Sequence, residues 1–298
     1  MNQFMPERKY PAADFSTEEK IESAINRRTV LSASPYRCDP DATLHFRIDG
    51  VECVMTSNEV AYPNASYASA CSCVGKRTCF VVVGRSYDND DNNVVYLSRA
   101  AVQKQYIEGV LDNIELGTVL PCIVTKNETF GSFCDIGCGV SALLRKARIS
   151  VSRVPNPSIR LSEGDEIYAI AASKDESGRI SLSMKELLGT WEQNACDFSD
   201  GDVVTGVVRG IKEYGAFIEL APNLCGLSEN FTDLQEGDRV SARISHILPE
   251  KMKIKLYVLA KLDNSNERTP LRYFVKDGVI KKWKYSPDCC AKVVEVDF

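Results

Sequence analysis

Two short runs in this chain set one aromatic residue three positions before another across a glycine: Phe130-Gly131-Ser132-Phe133 and Tyr214-Gly215-Ala216-Phe217. In a regular strand, residues three apart point to opposite faces, so the rings act together only if the glycine lets the backbone bend. With that freedom both rings stand on one surface, and the chemistry open to them is sequence-tolerant stacking on unpaired bases. Taken singly, Phe133 or Phe217 reads equally well as core, because buried phenylalanine is common. The recurrence of the whole pattern is what argues for a surface role.

Other chemistries fare worse. Cys71, Cys73 and Cys79 cluster, as do Cys134 with Cys138 and Cys289 with Cys290, but no C-x2-C pair is matched by a second and the chain has 2 histidines. A zinc site is therefore not expected, and the 12 cysteines, scattered through a chain without an export signal, read as reduced, mostly buried thiols. There is no P-loop, dinucleotide fingerprint, nucleophile elbow or HExxH. His45 and His246 stand far apart, and Asp88, Asp90 and Asp91 lie in an asparagine-rich stretch that reads as a solvated turn rather than a nuclease metal site. The expectation is a protein that is not an enzyme and needs no cofactor.

The elements that must hold the aromatic runs come from a repeat. GTVLPCIVTKNETFGSFCDIGCGVSALL, from Gly117, and GDVVTGVVRGIKEYGAFIELAPNLCGLS, from Gly201, share a glycine, a β-branched strand, a turn, the aromatic corner and a second hydrophobic strand. Their closing segments, EGDEIYAIAASKDESGRISLSMKEL and EGDRVSARISHILPEKMKIKLYVLA, also match. The starts lie 84 residues apart, enough for one small five-stranded barrel each. Between them, Leu187, Leu188 and Trp191 have helical spacing. A weaker copy precedes both, in FRIDGVECVMTSNEV and VGKRTCFVVVGRSYDNDDNNVVYLSRAAV. Ser16 and Glu19 have capping-box spacing for a helix over 17–28. At the other end, RYFVKDGVIKKWKY predicts a hairpin about Asp277-Gly278, with Lys281, Lys282 and Lys284 beside Trp283 as either a basic aromatic face or a lysine-protected edge.

The net charge of −5 excludes a strongly basic nucleic-acid binder, but the acidity is uneven. Residues 1–116 hold 12 basic against 16 acidic side chains, whereas residues 117–190 hold 9 against 8. With no run of about 18 apolar residues and no apolar signal core in MNQFMPERKYPAADF, a cytoplasmic protein without membrane contact is expected.

The residues GDVVTGVV, YGAFIEL and GLSE, with the paired EGD and ISLS elements, resemble the S1 domain of the bacterial small-subunit ribosomal protein S1 family. The resemblance is specific over 117–262, weaker over 30–100, and stops before the tail from 263. Its organisation is similar to the short three-repeat S1-like proteins of low-GC Gram-positive bacteria. The fold implied is mainly β: three consecutive S1-type OB-fold five-stranded barrels joined by short helices, with a C-terminal β-hairpin tail. An N-terminal helical extension (1–29) leads into a degenerate repeat (30–100), a linker helix (101–116), an S1 domain (117–183), a second linker helix (184–198), a further S1 domain (199–262) and the tail (263–298).

That family binds extended RNA across the second and third strands with two corner aromatics, a histidine opposite, and an Asp and Arg near the last strand. Carried over residue by residue, the middle repeat offers Phe130 and Phe133 as the aromatics, Arg145 in the histidine position, and Asp175 and Arg179. The third offers Tyr214, Phe217 and Lys253, but Glu229 replaces the histidine and Pro249 the aspartate. The first has Ala42 and His45 at the aromatic positions and Val94 at the basic one, and is not expected to bind RNA in this way. Arg145, Arg179 and Lys253, with Lys146 and Arg148 near the groove, supply cations for phosphates, while Asp175 reads better as the organiser of a turn than as a ligand to an anion. Two weak sites on a short linker reinforce each other at an effective concentration approaching ~mM.

The resemblance thus implies binding of single-stranded RNA, mRNA in particular, by repeats two and three in translation, with the acidic first repeat contacting protein such as the small ribosomal subunit. Two alternatives stay open: an accessory RNA-binding factor in RNA decay or transcription, and a protein-interaction scaffold whose degenerate OB folds no longer bind RNA.

Overall fold

The computed structural model describes residues 4–87, 93–230, 233–263 and 269–298, which fall into two compact units. The first holds residues up to 114 together with 135–141; the second holds 115–134 and the chain from 142 onward.

In the first unit, helix α1 (Glu18–Arg27) buries Ile21 and Ala24. Its N-cap is Thr17, and the Ser16–Glu19 capping box does not form, because the Ser16 hydroxyl donates to Asp14 (2.7 Å) and accepts from Lys20 (2.9 Å). Six strands follow: β1 (Leu31–Ala33), β2 (Arg37–Cys38), β3 (Leu44–Ile48), β4 (Val51–Met55), then, after the short helices α2 (Ser57–Val60) and α3 (Tyr67–Cys71), β5 (Thr78–Tyr87) and β6 (Asn93–Ser98). Helix α4 (Ala100–Gly109) closes the run. The strand order is β1-β5-β6-β4-β3-β2. Its circuit is that of a five-stranded barrel whose first strand has broken in two, β1 pairing with β5 and β2 with β3. Pro35 sits in the break, and a residue without an amide hydrogen cannot continue a ladder. Phe46, Phe80, Met55 and Leu97 fill the interior.

The second unit contains two closed barrels. Strands β7 (Val119–Glu128), β8 (Gly131–Asp135), β9 (Ser141–Arg145), β10 (Glu166–Lys174) and β11 (Ile180–Ser183) close in the order β10-β11-β9-β8-β7. After helix α5 (Trp191–Ala195), strands β12 (Val203–Lys212), β13 (Gly215–Ala221), β14 (Leu224–Ser228), β15 (Arg239–Leu248) and β16 (Lys253–Leu262) close as β12-β13-β14-β16-β15. In each, the third strand runs parallel to the fifth, Leu143 beside Ser181 and Leu227 beside Lys255. The first unit keeps the same parallel pair, Cys53 beside Val95.

The linker is two pieces rather than one helix. A 3-10 turn over Lys185–Leu188 ends at Gly189, and α5 starts afresh with a capping box between Thr190 and Gln193. Gly189 has φ +86°, and a Cβ there would lie 2.6 Å from the Phe274 ring, so the chain must break where helical spacing alone suggested continuity.

The tail also differs from expectation. A two-stranded ribbon forms, but between β17 (Lys282–Lys284) and β18 (Glu295–Asp297), not about Asp277-Gly278. The Gly278 carbonyl accepts from the Val119 amide and the Ile280 amide donates to Gly117, so this stretch pairs with the middle barrel instead. Tyr273 stacks edge-on against Tyr168 (5.4 Å) and anchors the approach. Trp283 is buried in the core cluster of the third barrel, and Lys281, Lys282 and Lys284 pair with Glu115, Glu295 and Asp288, so no free basic aromatic face results.

Candidate nucleic-acid interface

In the middle barrel Phe130 lies in the turn before β8, and Phe133 is the third residue of the strand. The rings meet edge to face, 6.1 Å apart at 90°. Phe130 is 50% exposed and Phe133 half-buried, whereas Ser132 and Cys134 turn into the barrel. The glycine's role is therefore not a kink within a strand, since the first aromatic precedes it. It is close approach: a Cβ on Gly131 would sit 2.6 Å from the Leu144 carbonyl and 3.0 Å from the Arg145 Cα. That contact brings β9 under the turn and sets the exposed Arg145 beside the aromatic pair. The Lys146 amide donates to the Phe130 carbonyl (3.0 Å) and fixes the corner. Arg145 and Arg179 form no ion pair among the described residues.

Asp175 organises the β10–β11 turn. Its Oδ1 accepts from the Ser177 hydroxyl (2.7 Å) and from the amides of Ser177 and Arg179 (both 2.9 Å). These donors, the Ser177 hydroxyl foremost, hold its carboxyl below the usual carboxylate range. The register of β11 against β9 places Arg179 at the Ser141 end of the face and Arg145 at the other, about 13 Å apart at 3.3 Å per residue. The aromatic pair lies at the start of β8, the strand beyond β9, with Phe130 at the Arg145 end.

The third barrel repeats the geometry. Tyr214, 62% exposed, lies in the turn before β13, with Phe217 at 6.1 Å and 83°. Gly215 would place a Cβ 2.7 Å from the Ser228 carbonyl, the counterpart of the Gly131 contact. Glu229 is exposed at the position of Arg145, and Pro249 opens a 3-10 turn (Pro249–Lys251) that replaces the aspartate-built turn. Lys253 begins β16, exposed and without an ion pair among the described residues.

In the first unit the corresponding positions present no stacking surface. Ala42 is buried with φ +68° in a turn, His45 is held by Asp39 (2.7 Å), and Val94 is half-buried. Tyr36 is exposed but occupied by Arg47 over its ring (5.4 Å) and by Glu52 on its hydroxyl.

One buried group escaped sequence reading. Glu219, on β13, takes Arg209 on one carboxylate oxygen (2.6 Å) and Arg160 on the other, and both Glu219 and Arg160 are buried. Burial pulls the Arg160 guanidinium down to about 10, still charged at neutral pH. Glu219 lies on the same outward row as Phe217, and no local pattern marks which distant arginine will cover it. All 12 cysteines are free thiols, and no cluster suited to a metal occurs among the described residues. Asp88, Asp90 and Asp91 lie outside the described residues.

Two closed barrels with the third strand parallel to the fifth, each carrying an aromatic pair at the start of its second strand, define a tandem OB-fold protein. The family model described as S1 RNA binding domain matches residues 113–185. The chain is similar to small ribosomal subunit protein bS1 of Leuconostoc lactis, 34% identical over 198 residues, 61% of this chain and 46% of that one. It is similar also to the bS1 homolog of Bacillus subtilis, 36% identical over 198 residues, 61% and 51% of the two chains. It spans about half the length of these relatives. A solved multidomain protein with nucleic acid binding domains from Streptococcus pneumoniae aligns over 78% of this chain and 74% of its own at 14% identity, with a TM-score of 0.26. The strand circuits, rather than that superposition, carry the fold assignment.

Proposed function

We propose that this chain is a cytoplasmic, non-enzymatic binder of single-stranded RNA, mRNA in particular, that works in translation with the small ribosomal subunit. The observation that carries the reading is the same exposed aromatic pair at the same corner of two barrels, in a chain similar to bS1 proteins. Phe130, Phe133, Tyr214 and Phe217 stack bases; Arg145, Arg179 and Lys253 meet phosphates; Asp175 shapes the turn that presents Arg179. The S1 domains occupy 117–183 and 199–262. The first repeat, lacking the pair and carrying the acidic excess, is the part that contacts protein on the ribosome.

The test is a titration of fluorescent 12-nucleotide oligouridine into the wild type and the Phe130→Ala/Phe133→Ala and Tyr214→Ala/Phe217→Ala variants, with circular dichroism as the check on folding. Each lost stack is expected to cost about 1 to 3 kcal/mol. Wild-type protein that fails to bind at low salt sinks the reading and leaves the scaffold in its place. Cosedimentation with small subunits separates a translation role from one in RNA decay or transcription.

A further inference from the structure

The aromatic pair of the third barrel is not an open platform. Phe217, with Val151, Ser152 and Cys225, lines two clefts of the second unit. One, of about 370 Å³, is lined by Tyr214, Phe217 and Lys212 together with residues 151–153, which belong to the middle repeat between β9 and β10. The other, of about 340 Å³, is lined by Phe217, Lys251 and Lys253 with Val151 and Ser152, and by Tyr285 and Lys292 of the tail. Trp191, Met252 and Ile254 give the second cleft an apolar floor.

Of the cations around Phe217, Arg209 is taken up by Glu219, but the others have no acidic partner among the described residues. Arg153, Lys212, Lys251, Lys253 and Lys292 are exposed and form no ion pair among the described residues. By contrast, Lys281, Lys282, Lys284 and Arg272 each face an acid. Glu213, Glu229 and Glu250 line neither cleft. Unmatched positive charge in two clefts that share one half-exposed ring is the arrangement a strand of nucleotides demands, bases against the ring and phosphates on the cations.

We infer that the RNA groove of the third repeat is completed from outside its own barrel, by residues 151–153 of the middle repeat and by Lys292 of the tail. Nucleotides occupy both clefts, with phosphates on Arg153 and Lys212 in one and on Lys251, Lys253 and Lys292 in the other. These cations stand in for the polar groups that Glu229 and Pro249 deny to this repeat. This inference rests on the RNA-binding reading above.

The full chain and its Arg153→Ala/Lys292→Ala variant would be titrated with 12-nucleotide oligouridine from about 50 to 300 mM salt, beside Tyr214→Ala/Phe217→Ala. The double cation variant is expected to bind roughly five- to tenfold more weakly at low salt. Its log–log salt slope should be shallower by about 1.4, the value for two phosphates of a single strand left without a cation. Ultraviolet crosslinking of the wild-type complex should mark peptides containing residues 151–153 and Lys292. If affinity and slope match wild type while the aromatic variant is weakened, the groove ends at the barrel and the inference fails with the RNA reading intact. If the wild type binds no oligouridine, both fail together.

Discussion

Phe130 and Tyr214 keep half or more of their surface in water, so truncating them removes little buried area. Their alanine variants should stay within about 0.5 kcal/mol of wild-type stability, measured by urea denaturation, while losing RNA affinity, which makes binding and folding separable at these positions. Asp175 behaves differently, because its carboxylate is an acceptor inside a turn. Its pKa is lowered on folding, first by the Ser177 hydroxyl and then by the Arg179 amide, so the stabilisation is complete above the ordinary carboxylate pKa of about 4 and is lost as pH falls through the depressed value. Asp175→Ala is therefore expected to be less stable than wild type at pH 7, with a gap that narrows as the pH drops below about 4. A gap independent of pH would mean that the turn does not depend on the charged form. The residue identities at both corners were legible in the sequence because the aromatic-Gly-small-Phe run recurs; the job of the glycine was not. It serves a neighbouring strand some 13 residues away in the chain, and a contact of that kind leaves no local trace.

At the level of the element, Gly131→Ala pushes a Cβ into the Leu144 carbonyl, which is backbone and cannot swing aside. A loss of about 1 to 3 kcal/mol in urea denaturation is expected, together with weaker RNA binding as β9 and Arg145 retreat from the aromatic pair. Elements whose signals are local were readable: the alternating strands of both barrels and the start of a helix near residue 18. Elements decided by partners were not. Asp277-Gly278 has the composition of a hairpin turn, yet the flanking residues find better hydrogen-bond partners at Gly117 and Val119. Leu187, Leu188 and Trp191 have one helical period between them but pack into different surroundings, Leu187 against Ile170 and Trp191 against the third barrel, and Gly189 lets the chain turn from one to the other.

At the level of the molecule, the second unit is held across its two barrels by one buried carboxylate between two guanidinium groups. Removing the carboxylate by Glu219→Ala strands two charges out of water and should cost about 3 to 5 kcal/mol in denaturant midpoint analysis. The same variant is expected to weaken RNA binding at the third barrel more than at the middle one, because Arg209 lines the cleft beside Tyr214. An unchanged midpoint would show that water reaches the triad.

The first unit carries a consequence for the protein's birth. Its interior includes residues 135–141: the Asp135 carboxylate accepts the amides of Glu7, Gly137 and Gly139, Tyr106 donates to Ile136, and Arg99 reaches the Gly139 carbonyl. During vectorial synthesis the Glu7 amide and the Tyr106 hydroxyl wait for these acceptors while more than twenty further residues are added. A nascent chain halted at residue 114 should remain open to protease, and one halted well beyond residue 141 should be protected. On that ordering the first repeat completes its fold only once residues 135–141 of the second have been made.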